Sequence, residues 1–215
     1  MTRAGRWPLA GRGGAKSTIG GMSVPSRVEA AALVRGLRPN AKLLQHSTAV
    51  AEIASFLATA MTRRGVALDA TAVETAALLH DVDKMLPDDD PLKPLGHGAA
   101  GAEWLRQRDH AELAPAVASH PVMAMGTAAS YESWADAAGL VGQIVTYSDK
   151  RARQDLITLD DRFARWHERY PNSPDLDTAH ERARRLERDM CEMAGIQPDD
   201  VRPDPWVNEA TSATA

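Results

Sequence analysis

The 215-residue sequence predicts an all-α domain, and three observations point that way. Apolar residues make up 44% of the chain but aromatics only 5%, with alanine and leucine prominent, a composition that suits packed helices better than a sheet. Apolar positions recur three and four residues apart from about residue 26 to residue 194. No run of alternating β-branched residues interrupts that pattern, and there is no internal repeat. Helices are expected over roughly 26–37, 40–64, 69–84, 97–108, 111–120, 133–153, 157–169 and 174–194. The segments "RGLRPN", "RRGVALD", "PDDDPLKPLGHG", "HPVMAMG" and "RYPNSPD" separate them, each with Pro or Gly as the breaker. Asp69 is placed to N-cap the third helix through its carboxylate. The last helix carries an apolar stripe through Leu176, Ala179, Ala183, Leu186, Met190 and Met193, and its other face, "ERARRLERD", reads as solvated charge pairs.

The length suits one domain with a sizeable core. A net charge of -4 gives no reason to expect a specific nucleic-acid partner. Cys191 is the single cysteine, which excludes a disulfide within the chain and a thiolate metal cluster, and suits a reducing, cytoplasmic setting. No stretch approaches the ~20 apolar residues of a membrane span. Residues 1–21 are basic without the apolar core of a secretion signal, and read as disordered or as sequence upstream of a true start at Met22. Residues 22–197 form the expected domain with a C-terminal helical extension, and the Pro/Asp-rich 198–215 reads as a flexible tail.

Several polar residues fall on apolar faces. His46 heads a row through Val50, Ile53 and Leu57; His80 follows Val73, Ala76 and Ala77; His97 opens "HGAAGAEWL"; His120 closes "AELAPAVASH"; Asp149 follows Val141 and Val145. Any one of these histidines reads most simply as a hydrogen-bonded core residue. Four imidazoles and two carboxylates facing one interior would together carry a large desolvation cost, which a shared metal centre would offset. Asp81 points about 100° away from its neighbour His80 on a helix, so both reach one ion only if it lies between their directions. His110, His167 and His180 sit in charged surroundings and read as surface residues.

The order His46, His80-Asp81, Asp149 resembles the H…HD…D signature of HD-domain metal-dependent phosphohydrolases, and "LLHDVDK" resembles that family's H-D-x-x-K segment, ending on Lys84. The further histidines in "HGAAGA" and "ASHP" resemble the small bacterial YqeK-like group, whose members split diadenosine tetraphosphate symmetrically at a dinuclear site commonly holding iron. The resemblance covers about residues 26–170 and implies a compact HD-domain helical bundle. This chain departs from that group after Asp149, where "SDKRARQDLITLDD" replaces an acidic, proline-containing segment, and at Pro121, where threonine is favoured. The Gly-Tyr-Pro motif of cyclic-dinucleotide phosphodiesterases is represented only by "RYP".

Imidazoles and carboxylates without thiolates suit iron, manganese or zinc better than magnesium. The resemblance implies two ions sharing Asp81, one with His46, His80 and Asp149, the other with His97 and His120. Such a pair would make hydroxide available near neutral pH and neutralise phosphoryl charge. Lys84 could contact a phosphate, or could be a solvated lysine at a helix end. Lys150, Arg151 and Arg153 cluster beside Asp149, as a phosphate-bearing substrate would require, though one or more of them also reads as a surface partner of Asp160-Asp161; Asp83 is a possible proton donor to the leaving group. Two functions fit: a phosphohydrolase acting on a nucleotide or other phosphorylated small molecule, including diadenosine tetraphosphate, and a regulatory module that binds a nucleotide without turnover.

Overall fold

The computed structural model describes residues 23–213; the reading of residues 1–21 lies outside them. Helices form α1 (Arg27–Leu37), α2 (Ala41–Arg63), α3 (Ala70–Leu79), α4 (Val82–Met85), α5 (Ala99–Arg106), α6 (Ala114–Ser119), α7 (Val122–Thr127), α8 (Tyr131–Lys150), α9 (Leu159–Arg169), α10 (Pro174–Ala194) and α11 (Val207–Ser212). No strand occurs among the described residues, so the fold is all-α as the composition predicts.

Helix α3 is the axis of the bundle. Every residue from Ala72 to Leu79 is buried, and α3 is packed by α1, α2, α6 and α8. A helix that is apolar all round can satisfy its surface only in that position. Asp69 caps it, its carboxylate accepting from Ala72 N at 3.1 Å. The one charge inside, Glu74, is met by the Arg27 guanidinium, whose Nε lies 2.6 Å from Oε2, and by the Ser55 hydroxyl at 3.0 Å. The α2 row Val50, Ile53, Leu57 and Met61 is fully buried, and the apolar stripe of α10 closes the far side against α7, α8 and α2.

Four expectations change. The helix expected over 69–84 is two helices: the chain turns at His80-Asp81, where Asp81 takes φ -106° and ψ 21°. That break, rather than the width of a helical step, is what aims both side chains at one place. His97 precedes α5 instead of lying on its face. The "HPVMAMG" segment, expected as a loop, holds the helix α7. Finally, the stretch expected as a flexible tail after 197 is packed: Val201, Trp206, Val207 and Ala210 are buried, and Trp206 Nε1 donates to Ala51 O at 3.4 Å. Asp204 N donates to Glu52 O at 2.9 Å, and the Arg27 guanidinium lies 4.8 Å from the Trp206 ring centroid. A high proline and aspartate content concealed four apolar residues spaced to cover α1 and α2.

Candidate metal centre

The six residues singled out as ligands come together where α2, α3, α6 and α8 meet the turn before α5. His46 Nε2 lies 3.2 Å from Asp149 Oδ1 and 3.5 Å from Asp81 Oδ2; His80 Nε2 lies 3.4 Å from Asp81 Oδ2 and 3.8 Å from Asp149 Oδ1. On the other side of Asp81, Oδ1 lies 3.4 Å from His120 Nε2 and 3.7 Å from His97 Nε2. Donor atoms of His46, His80 and Asp81 fall within 4.8 Å of one another, and so do those of Asp81, His97 and His120. Asp81 belongs to both groups.

The ring orientations follow from local chemistry. Each histidine spends Nδ1 on an oxygen acceptor: His46 on Arg153 O at 2.7 Å, His80 on Ala77 O at 2.7 Å, His120 on Val117 O at 2.6 Å and His97 on Asp83 Oδ2 at 2.9 Å. Nδ1 therefore carries the proton, leaving the Nε2 lone pair of every ring directed at the carboxylates. His80 and His120 use one device. Each stands immediately after a helix, α3 or α6, and donates to the carbonyl three residues back, one of the acceptors a helix end leaves open. Gly98 permits the approach of His97 to His120: its φ is 81°, and a Cβ there would stand 2.7 Å from Pro121 Cγ.

Burial would push the Asp81 carboxyl up, but the charged groups around it, the Lys84 ammonium among them, outweigh it and hold the group well below the usual carboxylate range. Burial opposes the Asp149 charge too, and Lys150, His46 and Arg162 overcome it, again leaving the carboxyl well below its ordinary value. Burial lowers His120 to about 4 against the pull of Asp81, so its ring is neutral at pH 7. His120 Nε2 is buried and has no hydrogen-bond partner. A neutral, unpartnered imidazole nitrogen beside the ionised Asp81 carboxylate fits a transition-metal ion, and no thiolate competes, because Cys191 packs against the Tyr147 hydroxyl elsewhere.

The remaining candidates divide. Lys84 is exposed, with Nζ 2.9 Å from Asp81 Oδ1, and it faces open space. Lys150, expected to meet substrate, is instead buried, with Nζ bonded to Asp149 Oδ2 at 2.6 Å and to His120 O at 2.7 Å; a phosphate has no path to it. Arg151 is likewise a framework residue, donating to Ile157 O, Tyr147 Oη, Glu187 Oε1 and Pro198 O. Arg153 borders a shallow pocket, and its carbonyl holds His46. Asp83 is buried behind His97, away from the open clefts, so the proton-donor role gives way to orientation of that ring. His110 Nδ1 donates to Ser23 O at 2.8 Å and takes no part in the cluster, while His180 is more enclosed than expected and stacks on Phe163 with ring centroids 4.3 Å apart.

Arg162 was not anticipated. Its Nη2 lies 3.5 Å from Asp149 Oδ1, and its guanidinium sits 4.6 Å from the Trp166 ring centroid. Arg162, Trp166 and Arg169 recur at helical spacing along α9, with Tyr170 as its C-cap, and form a basic and aromatic face.

An HD-domain family model matches residues 43–154, more than half of the chain. The chain belongs to the HD-domain family. Its matched span contains His46, His80, Asp81, His97, His120 and Asp149, and HD domains bind divalent metals and include metal-dependent hydrolases. No curated protein and no solved structure gives a significant match to the chain. Among the described residues, no helix is long and apolar enough to cross a membrane.

Proposed function

We propose that this HD-domain protein is a phosphohydrolase that cleaves a phosphoanhydride or phosphoester bond of a nucleotide, with diadenosine tetraphosphate among its substrates. The observation that carries the reading is the convergence of four Nε2 lone pairs on Asp81 and Asp149 at the wall of an open cleft. His46, His80, Asp81 and Asp149 would hold one ion, and Asp81, His97 and His120 a second; iron, manganese and zinc all suit these donors. Bound there, the ions would lower the pKa of water and offset charge on the phosphoryl oxygens.

The chain's own residues supply the rest. Lys84 and Arg162 present cations from two sides of the cluster, positioned to take phosphate oxygens. Lys150 spans Asp149 and the His120 carbonyl, fixing a carboxylate relative to a histidine. Asp83 fixes the His97 tautomer. The helices around the cluster exclude bulk water from its core side, so charges held there interact more strongly than in free solution.

The test is turnover of a nucleotide panel by full-length protein loaded with iron, manganese or zinc, with metal content measured alongside. ADP as the sole product from diadenosine tetraphosphate is the expected result and marks symmetrical cleavage. Nucleotide binding without turnover by fully metal-loaded protein would replace this reading with the regulatory one.

A further inference from the structure

Two clefts, unlike in character, flank the cluster. The larger, of about 1070 Å³, runs from His97 and Asp149 between α6–α7 and α9–α10. Its walls are apolar and aromatic, with Val122, Met123, Trp166, Tyr170 and Leu176. The smaller, of about 400 Å³, lies on the His46 side and is lined by Asn40, Lys42, Arg153 and Gln154, with Leu43 as its apolar contribution. Lys84 and Arg162 border both, so a phosphate chain passing the cluster would thread between two cations with a different environment at each end.

Three features mark the larger cleft as a binding subsite. Of the four large apolar side chains left exposed among the described residues, Met123 and Tyr170 both line it, from opposite walls. Arg162, at its inner end, is held by Asp149 and the Trp166 ring, and its buried Nε has no hydrogen-bond partner. Trp166 and Tyr170 lie beyond the span matched by the family model, so this wall is a feature of this chain's own extension. Its volume suits a small organic molecule, and an apolar slot with a few polar groups at one end is the usual form of such a site.

We propose, building on the phosphohydrolase reading, that recognition is one-sided: the larger cleft takes the base of a nucleoside polyphosphate against Tyr170 and Met123. The smaller pocket reads only phosphate and sugar oxygens through Lys42, Arg153 and Asn40. A second base finds no aromatic surface there, so it adds nothing to binding. The protein therefore treats a nucleoside tetraphosphate and a dinucleoside tetraphosphate as near equivalents.

Calorimetric titration of full-length, metal-loaded protein with ADP and with inorganic pyrophosphate tests the subsite without relying on turnover. ADP is expected to bind the tighter, and Tyr170→Ala to weaken ADP about tenfold, as loss of one base–aromatic stack does, while leaving pyrophosphate and metal content unchanged. Met123→Ala, on the opposite wall and outside any helix cap, should act in the same direction should Tyr170→Ala disturb the end of α9. Equal loss of ADP and pyrophosphate affinity in both variants would overturn the subsite. Hydrolysis provides the second arm: adenosine tetraphosphate and diadenosine tetraphosphate should share a kcat/KM within about threefold, whereas a preference above about tenfold for the dinucleotide, worth roughly one well-placed contact, would overturn one-sided recognition. Tyr170-dependent ADP binding without hydrolysis of either compound would sink the phosphohydrolase reading and leave the base subsite standing.

Discussion

The two sides of the candidate metal centre are built differently. On one side His46, His80 and Asp149 project from α2, from the end of α3 and from α8, the helices that also make the core, and His80 is fully buried. The ring protons of His46 and His80 go to backbone carbonyls, which cannot be lost by substitution. On the other side His97 stands before α5 with 37% of its side chain exposed, and its ring proton goes to a side chain, Asp83. The first side is preorganised by the fold itself. The second shares that construction at His120, buried and bonded to Val117 O, but its other ring, His97, depends on a turn, Gly98 and one carboxylate, so unequal affinity for two ions is the expected consequence.

Asp81 breaks that division, because it faces both sides. Asp81→Ala is expected to lower metal content at both positions and to reduce phosphohydrolysis by more than about a hundredfold, beyond the effect of removing an outer partner of a ligand. Helical content by circular dichroism should largely persist, since Asp81 lies in a turn between α3 and α4. His110→Ala should change neither metal content nor turnover, given its contact with Ser23 O at the periphery. Full activity in Asp81→Ala would refute the catalytic reading of "LLHDVDK". Loss of activity with both ions retained would move Asp81 from ligand to substrate placement.

Much of this arrangement is legible in the sequence because it uses local rules. The rows leading to His46, His80 and His120 show in helical periodicity, and the all-α class follows from composition. What periodicity cannot show is a break inside an apolar run. "TAALLHDVDK" reads as one helix, and only packing around α3 reveals that the chain turns at Asp81. Lys150 and Arg151 depart from expectation for a related reason: a basic cluster looks exposed by composition, but both side chains are buried and their charges are met by Asp149 and Glu187. The 198–212 segment shows the same limit from the other direction. Its few apolar residues are too sparse for a pattern, yet each one is buried. Arg162 and Tyr170 were visible as a stripe but carried no recognised motif.

Within the second side, the buried ring of His120 should dominate the response to acid. Burial lowers His120 to about 4, against about 6.5 in an unfolded chain, so the folded state resists its protonation. The sign follows directly: the stability contributed by keeping this ring neutral is complete above pH 6.5 and is lost as pH falls toward 4. For a fully buried group the loss is on the order of 3 kcal/mol. Urea unfolding of chelator-treated protein between pH 7 and 4 should show that decline, and His120→Asn should flatten it. Asp81 and Asp149, held below the usual carboxylate range, add a further loss only below about pH 4. An unchanged slope in His120→Asn would assign the acid sensitivity to other groups.

The exposed side alone should respond to Asp83. Its Oδ2 holds the His97 Nδ1 proton at 2.9 Å, and the space for it is left by Gly101, where a Cβ would come within 3.3 Å of Oδ1. Asp83→Ala removes the acceptor, so the ring of this half-exposed histidine is free to turn and to present either nitrogen. The affinity of one ion should then fall by about ten- to a hundredfold, the usual effect of losing an outer partner of a ligating histidine. Asp83→Asn should restore most of it, because an amide oxygen accepts from the same Nδ1 proton without requiring the charge. A metal titration resolves the two cases: one weakened and one unaltered binding event is expected in Asp83→Ala, with the weaker event recovering in Asp83→Asn. Equal weakening of both events would show that Asp83 supports the whole cluster through packing of α4. Failure of Asp83→Asn to recover would show that the carboxylate charge, and not the orientation of His97, is what the site requires.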